Sequence, residues 1–308
     1  MPKPLLIAVM GETSSGKTGL AEDLAERLDA QLINADAFQV YRGMDLGTAK
    51  SEHKDRYELI DIKDPDEPFG SGEWVQKASA ILQALYERGR NAIVVGGSGL
   101  NIRALFEKYD TMSGPPDPYL RAHLNRRMEE EGLAALVQEL KNLDPDLAAR
   151  TDLRNPVRVT RALERATGSN EIIHVELPPF KLMKFAIQNA VELTNARIEA
   201  RAWQMARNGW LEEVETLKQK GYGPNAPGFR AHGYREMWRV LEGELEMAEA
   251  VASIVLQVRR YAKRQRTWLK AEPNLTVLQS TVGSEPLQQA LDHLFGMGEG
   301  ARENGQDH

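Results

Sequence analysis

The 308-residue chain contains no cysteine. This absence excludes disulfide frameworks, thiolate metal sites and thiol nucleophiles together, so any chemistry must use hydroxyls, carboxylates, lysines, histidines or a bound cation. No stretch approaches the roughly 18 uninterrupted apolar residues that a membrane span needs, and the early run "LLIAVM" lacks the layout of a cleavable signal. We therefore expect a cytoplasmic protein that does not contact membranes.

Positive charge is also in short supply overall, because the formal net charge is -6. This balance excludes a uniformly basic surface that would attract nucleic acid everywhere. It does not exclude a local site, since the stretch "RRYAKRQRTWLK" at 259–270 holds six cations and no acid. One face of the protein is therefore predicted to be basic.

Short apolar runs alternate with helical periodicity along most of the chain. The runs "LLIAVM", "AQLINAD", "YELIDI", "NAIVVGGSG", "KLMKFAIQN" and "NLTVLQS" indicate strands. Segments with helical periodicity lie between them, including one that runs through about Leu28 and the segments "SGEWVQKASAILQALYERG" and "EPLQQALDHLFGM". Alternation of this kind predicts an α/β fold with a doubly wound parallel sheet.

The pattern changes after Tyr109, where "TMSGPPDPYL" is rich in helix breakers. A charged sequence with helical periodicity and no convincing strand then continues to about Ala166. This change predicts a helical insertion domain. We predict core segments at 1–112 and 180–296, the insertion at 113–179, and a disordered tail at 297–308. Further on, "TNARIEARAWQMARNGWLEEVETLKQKG" predicts one long helix that begins at a Thr194 cap.

The octapeptide "GETSSGKT" matches the phosphate-loop pattern G-x-x-x-x-G-K-[ST] between a predicted strand and a predicted helix. Its glycines let backbone N–H groups converge on a phosphate, and the helix N-terminus adds positive potential. The predicted diphosphate ligands are Gly11, Thr13, Ser14, Ser15, Gly16, Lys17 and Thr18, with the Thr18 hydroxyl also binding Mg2+. Such a loop recognises a diphosphate group, not the base attached to it.

A kinase would need a further carboxylate at the end of a strand. Asp36 and Asp61 both follow predicted strands, so the residues alone leave a small-molecule kinase open.

Seven blocks in register resemble the tRNA dimethylallyltransferases, over Leu5 to about Trp268. The blocks are "GETSSGKT", "NADAFQVYRGMDLGTAK", "LIDIKDPDEPF", "VVGGSGLNIRAL", "RNPVRVTRALE", "HGYREM" and "RRYAKRQRTW". The resemblance implies a P-loop NTPase-like core whose helical insertion closes on the anticodon stem-loop. It further implies transfer of a dimethylallyl group from dimethylallyl diphosphate to the exocyclic amine of the adenosine beside the anticodon, with Mg2+ and without consumption of ATP.

The resemblance also implies roles for individual residues. Asp36 matches the general base that takes the amine proton, Lys17 stabilises the leaving diphosphate with Mg2+, and Ser98 matches a hydroxyl residue near the reacting centre. Extruding the base costs a few kcal/mol of stacking, which Phe38 or Tyr41 could offset. The positions matched to tRNA contacts are Asp36, Ala37, Phe38, Gln39, Ser98, Arg121, Val157, Arg158, Val159, Thr160, Arg161, Arg259, Lys263 and Arg266.

Purely structural roles compete with these assignments. Asp36 could cap a turn after its strand, and Arg158 and Arg161 could belong to a solvated helix face with neighbours such as Glu164. The basic block could be an amphipathic helix with its aromatic residues, Tyr261 and Trp268, in the core. By the same argument the residues Trp203, Met205, Trp210, His232 and Tyr234 are assigned to packing.

The chain departs from the usual family pattern at several positions. Serine is usual where this chain has Ala37, threonine where it has Ser98 and Val258, tyrosine where it has Asn101, and histidines where it has Tyr57 and Glu58. Ala37 lacks a hydroxyl, which removes a hydrogen bond worth on the order of 1 kcal/mol. We expect these changes to affect efficiency and RNA preference more than the type of reaction.

Three rival functions stay open at this point: prenylation of free adenosine nucleotides, a small-molecule kinase of the same loop class, and a non-catalytic RNA-binding protein. The predicted insertion and the basic block favour RNA over a free nucleotide, since a small acceptor needs neither. No heptad run demands a dimer, so we expect a monomer.

Overall fold

The computed structural model describes residues 3–106, 117–168, 176–280 and 285–296. Within these ranges six strands form one parallel sheet: β1 Leu5–Gly11, β2 Ala30–Asn34, β3 Tyr57–Glu58, β4 Asn91–Val95, β5 Lys181–Gln188 and β6 Leu275–Gln279. Their order across the sheet is β3-β2-β4-β1-β5-β6, and every pairing is parallel. The predicted doubly wound α/β fold is therefore confirmed.

Twelve α-helices occur in the described part of the chain: α1 Lys17–Leu28, α2 Ser71–Glu87, α3 Gly99–Phe106, α4 Pro118–Glu130, α5 Gly132–Leu143, α6 Pro145–Arg150, α7 Pro156–Ala166, α8 Val191–Arg207, α9 Trp210–Gln219, α10 Tyr234–Leu241, α11 Met247–Leu269 and α12 Pro286–Phe295. Short 3-10 turns lie at Lys54–Arg56 and Pro227–Arg230. No helix in these ranges is both long and apolar enough to cross a bilayer.

Strand β1 lies at the centre of the sheet and is buried on both faces. Leu6, Ala8 and Met10 pack into one hydrophobic cluster, whereas Ile7 and Val9 pack into another on the opposite face. A strand covered by helices on both sides has no polar face, which explains its continuous apolar sequence. Its register against β4 and β5 fixes where the phosphate loop leaves the sheet.

The helices α4 to α7 lie within the range 113–179 predicted as an insertion, and the described residues of that range contain no strand. They share a hydrophobic cluster of their own, which includes Leu124, Leu136, Leu140, Val159 and Leu163. The boundary at 112–113 and the tail at 297–308 lie outside the described residues. The domain boundaries therefore stay a prediction.

Three local predictions were wrong. The run "YELIDI" forms a strand only at Tyr57–Glu58, because Leu59 and Asp61 adopt φ angles of 63° and 55° that turn the chain out of the sheet. The predicted long helix is two helices, α8 and α9, separated by Gly209 with a φ of 103°. Thr194 does not cap α8; it lies inside the helix, and its hydroxyl donates to the Glu12 carboxylate at 2.7 Å.

The cluster of the insertion yields a stability prediction. Leu140→Ala should lower the free energy of unfolding by about 2–5 kcal/mol, because Leu140 is fully buried and its truncation leaves a cavity. Leu143→Ala is the matched control on the same helix, since that side chain is 52% exposed and should change stability by only about 0.5 kcal/mol. Urea unfolding of both variants measures the difference; equal effects would contradict the assigned packing.

Candidate active site

Three strand ends converge at one edge of the sheet. The phosphate loop follows β1, the turn with Asp36 follows β2, and the turn with Ser98 follows β4. The exits are linked directly, since the Ala35 N–H donates to the Val95 carbonyl at 2.8 Å. A side chain at Gly96 would lie 2.5 Å from the Ala35 carbonyl carbon, so only glycine permits this approach.

The loop between β1 and α1 has the geometry of an anion cradle. Gly16 and Ser14 adopt positive φ angles of 97° and 61°, so successive N–H groups can turn inward ahead of the helix N-terminus. The Ser14 and Ser15 hydroxyls are buried and have no hydrogen-bond partner among the described residues. A side chain at Gly11 would lie 2.6 Å from the Ser15 Oγ, so the loop is closed tightly at its start.

Lys17 is the cation of this cradle. Its Nζ lies 3.4 Å from the Glu12 carbonyl oxygen. Burial lowers the pKa of the Lys17 ammonium to about 8, and the nearby Asp36 carboxylate opposes that shift while Arg201 adds to it. An ammonium that is harder to charge in the free protein gains stability when a phosphate enters beside it. The site is therefore arranged for an anion.

Asp36 has both the structural and the site-facing role that the sequence left open. Its Oδ1 accepts the Phe38 N–H at 2.9 Å, and its own N–H donates to the Asn34 Oδ1 at 2.9 Å. Asn34 is in turn held by its bond to the Leu59 carbonyl at 3.0 Å. The carboxylate is thus oriented by its turn, and Asp36 also lines the cavities described next.

Two cavities meet at Asp36. A polar cavity of about 70 Å3 contains Lys17 and Thr18, and a mainly apolar cavity of about 190 Å3 contains Phe38 and Ser98. Residues that line both are Thr13, Asp36, Thr48, Ala49 and Arg201. The arrangement separates a site for charged oxygens from a site for carbon, with a carboxylate at their boundary.

The polar cavity suits a magnesium ion only with help from a ligand. Thr18 and Asp36 supply hard oxygen atoms of the kind that Mg2+ prefers. In the described ranges no group of three or more His, Cys, Asp or Glu side chains could hold a metal by itself. Phosphate oxygens and water would have to complete the coordination, as is usual for Mg2+.

Several cavity residues were missed by the sequence analysis or assigned to packing. Arg201 lines both cavities, and Met205, Trp210 and His232 line the apolar one. Trp210 is only 1% exposed and belongs to a hydrophobic cluster with Phe229 and Tyr234. It therefore packs in the core and also lines the cavity. One signal was present: Arg201 interrupts the apolar stripe of α8 formed by residues such as Ile198 and Ala202.

Thr48 and Ala49 line both cavities, and the surrounding segment 44–50 is held in place by polar contacts. The Glu213 carboxylate accepts the Asp45 and Leu46 N–H groups at 2.8 and 2.7 Å and the Tyr234 hydroxyl at 2.6 Å. The Lys50 side chain is buried and pairs with Asp45 at 2.7 Å and with Asp61 at 2.5 Å. Asp61 is therefore occupied by a structural ion pair and does not line either cavity.

The predicted contacts after β2 are divided between the cavities. Ala37 and Phe38 line the apolar one. Gln39 lines the polar one, and its amide donates to the Thr48 and Ala49 carbonyls at 3.1 and 3.2 Å. Tyr41 is only 3% exposed and packs in the interior, so Phe38 is the better placed of the two aromatic candidates for stacking.

The predicted contacts in the insertion do not lie at these cavities. Val157, Arg158 and Arg161 are exposed on α7. Val159 is fully buried in the insertion core, and the buried Thr160 hydroxyl donates to the Pro156 carbonyl at 2.9 Å.

Arg121 joins two helices of the insertion. Its guanidinium forms a bidentate ion pair with the buried Glu164 carboxylate, and the Nη2 to Oε2 distance is 2.6 Å. This contact links α4 to α7, so Arg121 stabilises the packing of these two helices.

The predicted stripe on α11 is not uniform. Lys263 is exposed, whereas Arg259 pairs with Glu199 at 2.7 Å and Arg266 pairs with the buried Glu12 of the phosphate loop. The exposed cations of the block are Arg260, Lys263, Arg264 and Lys270. The helix thus has a basic outer face and an inner face that reaches the phosphate loop.

The state of Lys17 yields a pH prediction. Since its pKa is lowered to about 8, affinity for inorganic diphosphate should fall as pH rises through that value, and binding there should take up a proton. Titration calorimetry in buffers of different ionisation enthalpy measures the uptake. Lys17→Arg is the control, because arginine stays charged over this pH range. Any pH dependence that this variant shows comes from the ionisation of diphosphate itself. The same pH dependence in both proteins would contradict the assignment.

Comparison with known proteins agrees with this geometry. The family model described as IPP transferase matches residues 39–272. The tRNA dimethylallyltransferase of Syntrophobacter fumaroxidans is 39% identical over 282 residues, covering 87% of this chain and 81% of its own. That of Gloeobacter violaceus is 38% identical over 292 residues, covering 92% and 95%.

Solved structures give the same result. The tRNA isopentenylpyrophosphate transferase of Bacillus halodurans superposes with a TM-score of 0.69 at 33% identity, covering 96% of both chains. A eukaryotic dimethylallyltransferase described as acting on tRNA shares the fold, with a TM-score of 0.75 at 20% identity. By the extent of the family match and by these identities, the chain belongs to the IPP transferase family.

Proposed function

We propose that the protein transfers a dimethylallyl group from dimethylallyl diphosphate to the exocyclic amine of the adenosine beside the anticodon in tRNA. The observation that carries this proposal is the position of Asp36 at the boundary between a polar, cationic cavity and an apolar one. The names of the relatives, which are tRNA dimethylallyltransferases, support the same substrates.

The donor fits the two cavities in one orientation. Its diphosphate would lie against the phosphate loop, near Lys17 and Thr18, and its five-carbon chain would enter the apolar cavity. The allylic carbon then lies at the boundary, close to Asp36. Arg201 lines both cavities and supplies a second positive charge beside the leaving group.

The reaction needs little from the protein beyond charge placement and one proton acceptor. As the amine nitrogen bonds to the allylic carbon, the bond from that carbon to the diphosphate oxygen breaks, and the diphosphate leaves with the electron pair. The amine becomes acidic only as its nitrogen gains positive character, so Asp36 at roughly 3 Å takes the proton late in the step. Lys17, Arg201 and the loop N–H groups stabilise the charge on the departing oxygens.

A bound Mg2+ would add Lewis-acid stabilisation of the diphosphate, with Thr18 and the phosphate oxygens as its ligands. Phe38 would stack on the extruded base in the apolar cavity.

The remaining RNA would contact the exposed cations. Arg158 and Arg161 on α7 and Lys263 on α11 are solvent-exposed and suit phosphate contacts. We assign the contact to an insertion at 113–179 between core segments 1–112 and 180–296. Since one chain supplies the walls of both cavities, the proposed active unit is a monomer, and its tRNA substrate makes the cytoplasm its proposed location.

A transfer assay tests the proposal. The protein is incubated with Mg2+, dimethylallyl diphosphate and an anticodon stem-loop that carries adenosine next to the anticodon, and the RNA is analysed by mass spectrometry. We expect one dimethylallyl unit on that adenosine and none on a stem-loop with guanosine there. Parallel incubations supply free adenosine nucleotide or ATP; prenylated free nucleotide, or phosphate transfer from ATP, in place of RNA product would overturn the proposal.

The role of Asp36 predicts a separation of catalysis from binding. Asp36→Asn should reduce turnover roughly 100- to 10,000-fold, because the amide cannot accept the proton. Its oxygen can still accept the Phe38 N–H, so affinity for the stem-loop should stay within about threefold. Asp66→Asn is the control, as Asp66 is exposed and lines neither cavity. Normal turnover in Asp36→Asn would refute the role of Asp36 as base.

A further inference from the structure

We infer that Gln265 is a positioning residue that fixes the phosphate loop against the Ser98 turn. It would thereby keep the diphosphate cavity aligned with the reacting centre. The inference rests on the proposed function for its kinetic consequence, but not for its effect on diphosphate binding.

The side chain of Gln265 bridges two loops that are far apart in sequence. Its Oε1 accepts the Thr13 N–H at 2.9 Å, and its Nε2 donates to the Gly97 carbonyl at 2.9 Å. Thr13 lines both cavities, and Ser98, next to Gly97, lines the apolar one. One amide therefore connects the loop proposed to hold the leaving group with the turn proposed to face the acceptor.

Glutamine is specific for this bridge. The position needs one acceptor and one donor side by side, which a primary amide supplies and which a carboxylate or thioether of the same length does not. The reverse orientation of the amide would oppose two donors at Thr13 and two acceptors at Gly97, so the network itself fixes the assignment. Gln265 is only 7% exposed, which removes water as a substitute partner.

The surrounding contacts show that the turn is built to receive this side chain. A Cβ at Gly97 would lie 2.4 Å from the Gln265 Nε2, so the absence of a side chain at Gly97 is what permits the contact. One turn earlier on α11, the Tyr261 hydroxyl donates to the same Gly97 carbonyl at 3.3 Å. Burial raises the pKa of that hydroxyl well above its usual value, so it stays a donor at neutral pH.

A second contact from α11 holds the preceding loop residue. The Arg266 guanidinium pairs with the Glu12 carboxylate, whose other oxygen accepts the Thr194 hydroxyl at 2.7 Å. Glu12, Thr13 and Gly97 are thus all held by consecutive residues of one long helix. Gln265 is the member of this set that contacts both loops.

Binding of inorganic diphosphate tests the inference without reference to the transfer reaction. Gln265→Met preserves length and packing but removes both hydrogen bonds, and it should weaken diphosphate binding with Mg2+ roughly tenfold to thirtyfold. Gln219→Met is the matched control, because Gln219 is exposed at the end of α9. Wild-type affinity in a folded Gln265→Met protein would overturn the inference, as would a failure of the wild-type protein to bind diphosphate.

The kinetic signature separates positioning from general stability. Gln265→Met should raise the KM for dimethylallyl diphosphate and lower kcat while leaving the KM for the stem-loop within about twofold. A variant that lost only folded fraction would lower kcat alone, and that result would contradict the inference. If the wild-type protein bound diphosphate but prenylated no RNA, the proposed function would fail while the diphosphate comparison still decided this inference.

A charge variant supplies a pH test of the bond to Gly97. Gln265→Glu keeps the acceptor for Thr13 but directs a carboxylate oxygen at the Gly97 carbonyl. Burial and the facing carbonyl both favour the protonated form, which can donate, so the activity relative to the wild-type protein should recover as pH falls from 8 to about 5. Gln219→Glu should show a constant ratio over that range. A constant ratio for Gln265→Glu as well would refute the role of the donated hydrogen bond.

Discussion

The site depends on the close approach of two chain exits from the sheet. Gly96 leaves β4 so near to Ala35, which follows β2, that no side chain fits between them. The phosphate loop leaves the adjacent strand β1, and all three exits lie at the same edge because the strands are parallel. Asp36, Ser98 and Lys17 are brought together by this backbone geometry, before any contact between their side chains.

Burial makes the positive charge of the site costly to maintain. Lys17 is buried enough for its pKa to fall to about 8, although Asp36 is nearby to oppose the shift. Arg201 adds a second cation that lines the same two cavities. Glu12 is a second carboxylate near Lys17, but it pairs with Arg266, so the two cations and Asp36 leave an excess of positive charge that a diphosphate would neutralise. The overall charge of -6 is therefore no guide to the charge of the site.

The parts of the site that could be predicted from sequence are those determined by residues close together in the chain. The phosphate loop and the position of Asp36 after β2 follow from glycine spacing and from one apolar run each. Arg201 and Gln265 were not found, because each lies in a helix whose pattern is dominated by packing and acquires its role through residues far away in the chain. The same limit explains the error at Gly209, where a single residue in a helical pattern decides between one helix and two.

Three of the six positions at which this chain departs from the usual family pattern lie together, whereas Glu58 and Asn101 line neither cavity. Ala37, Ser98 and Val258 line the apolar cavity, where they border the proposed prenyl group and adenine. Tyr57 borders the polar cavity, but its hydroxyl is occupied by the Glu22 carboxylate at 2.8 Å. Lys17, Thr18 and Asp36 keep the family pattern. Under the proposed function the polar cavity holds the leaving group and the apolar one the acceptor, so the departures in the apolar cavity would alter acceptor recognition and leave the chemistry of the step in place.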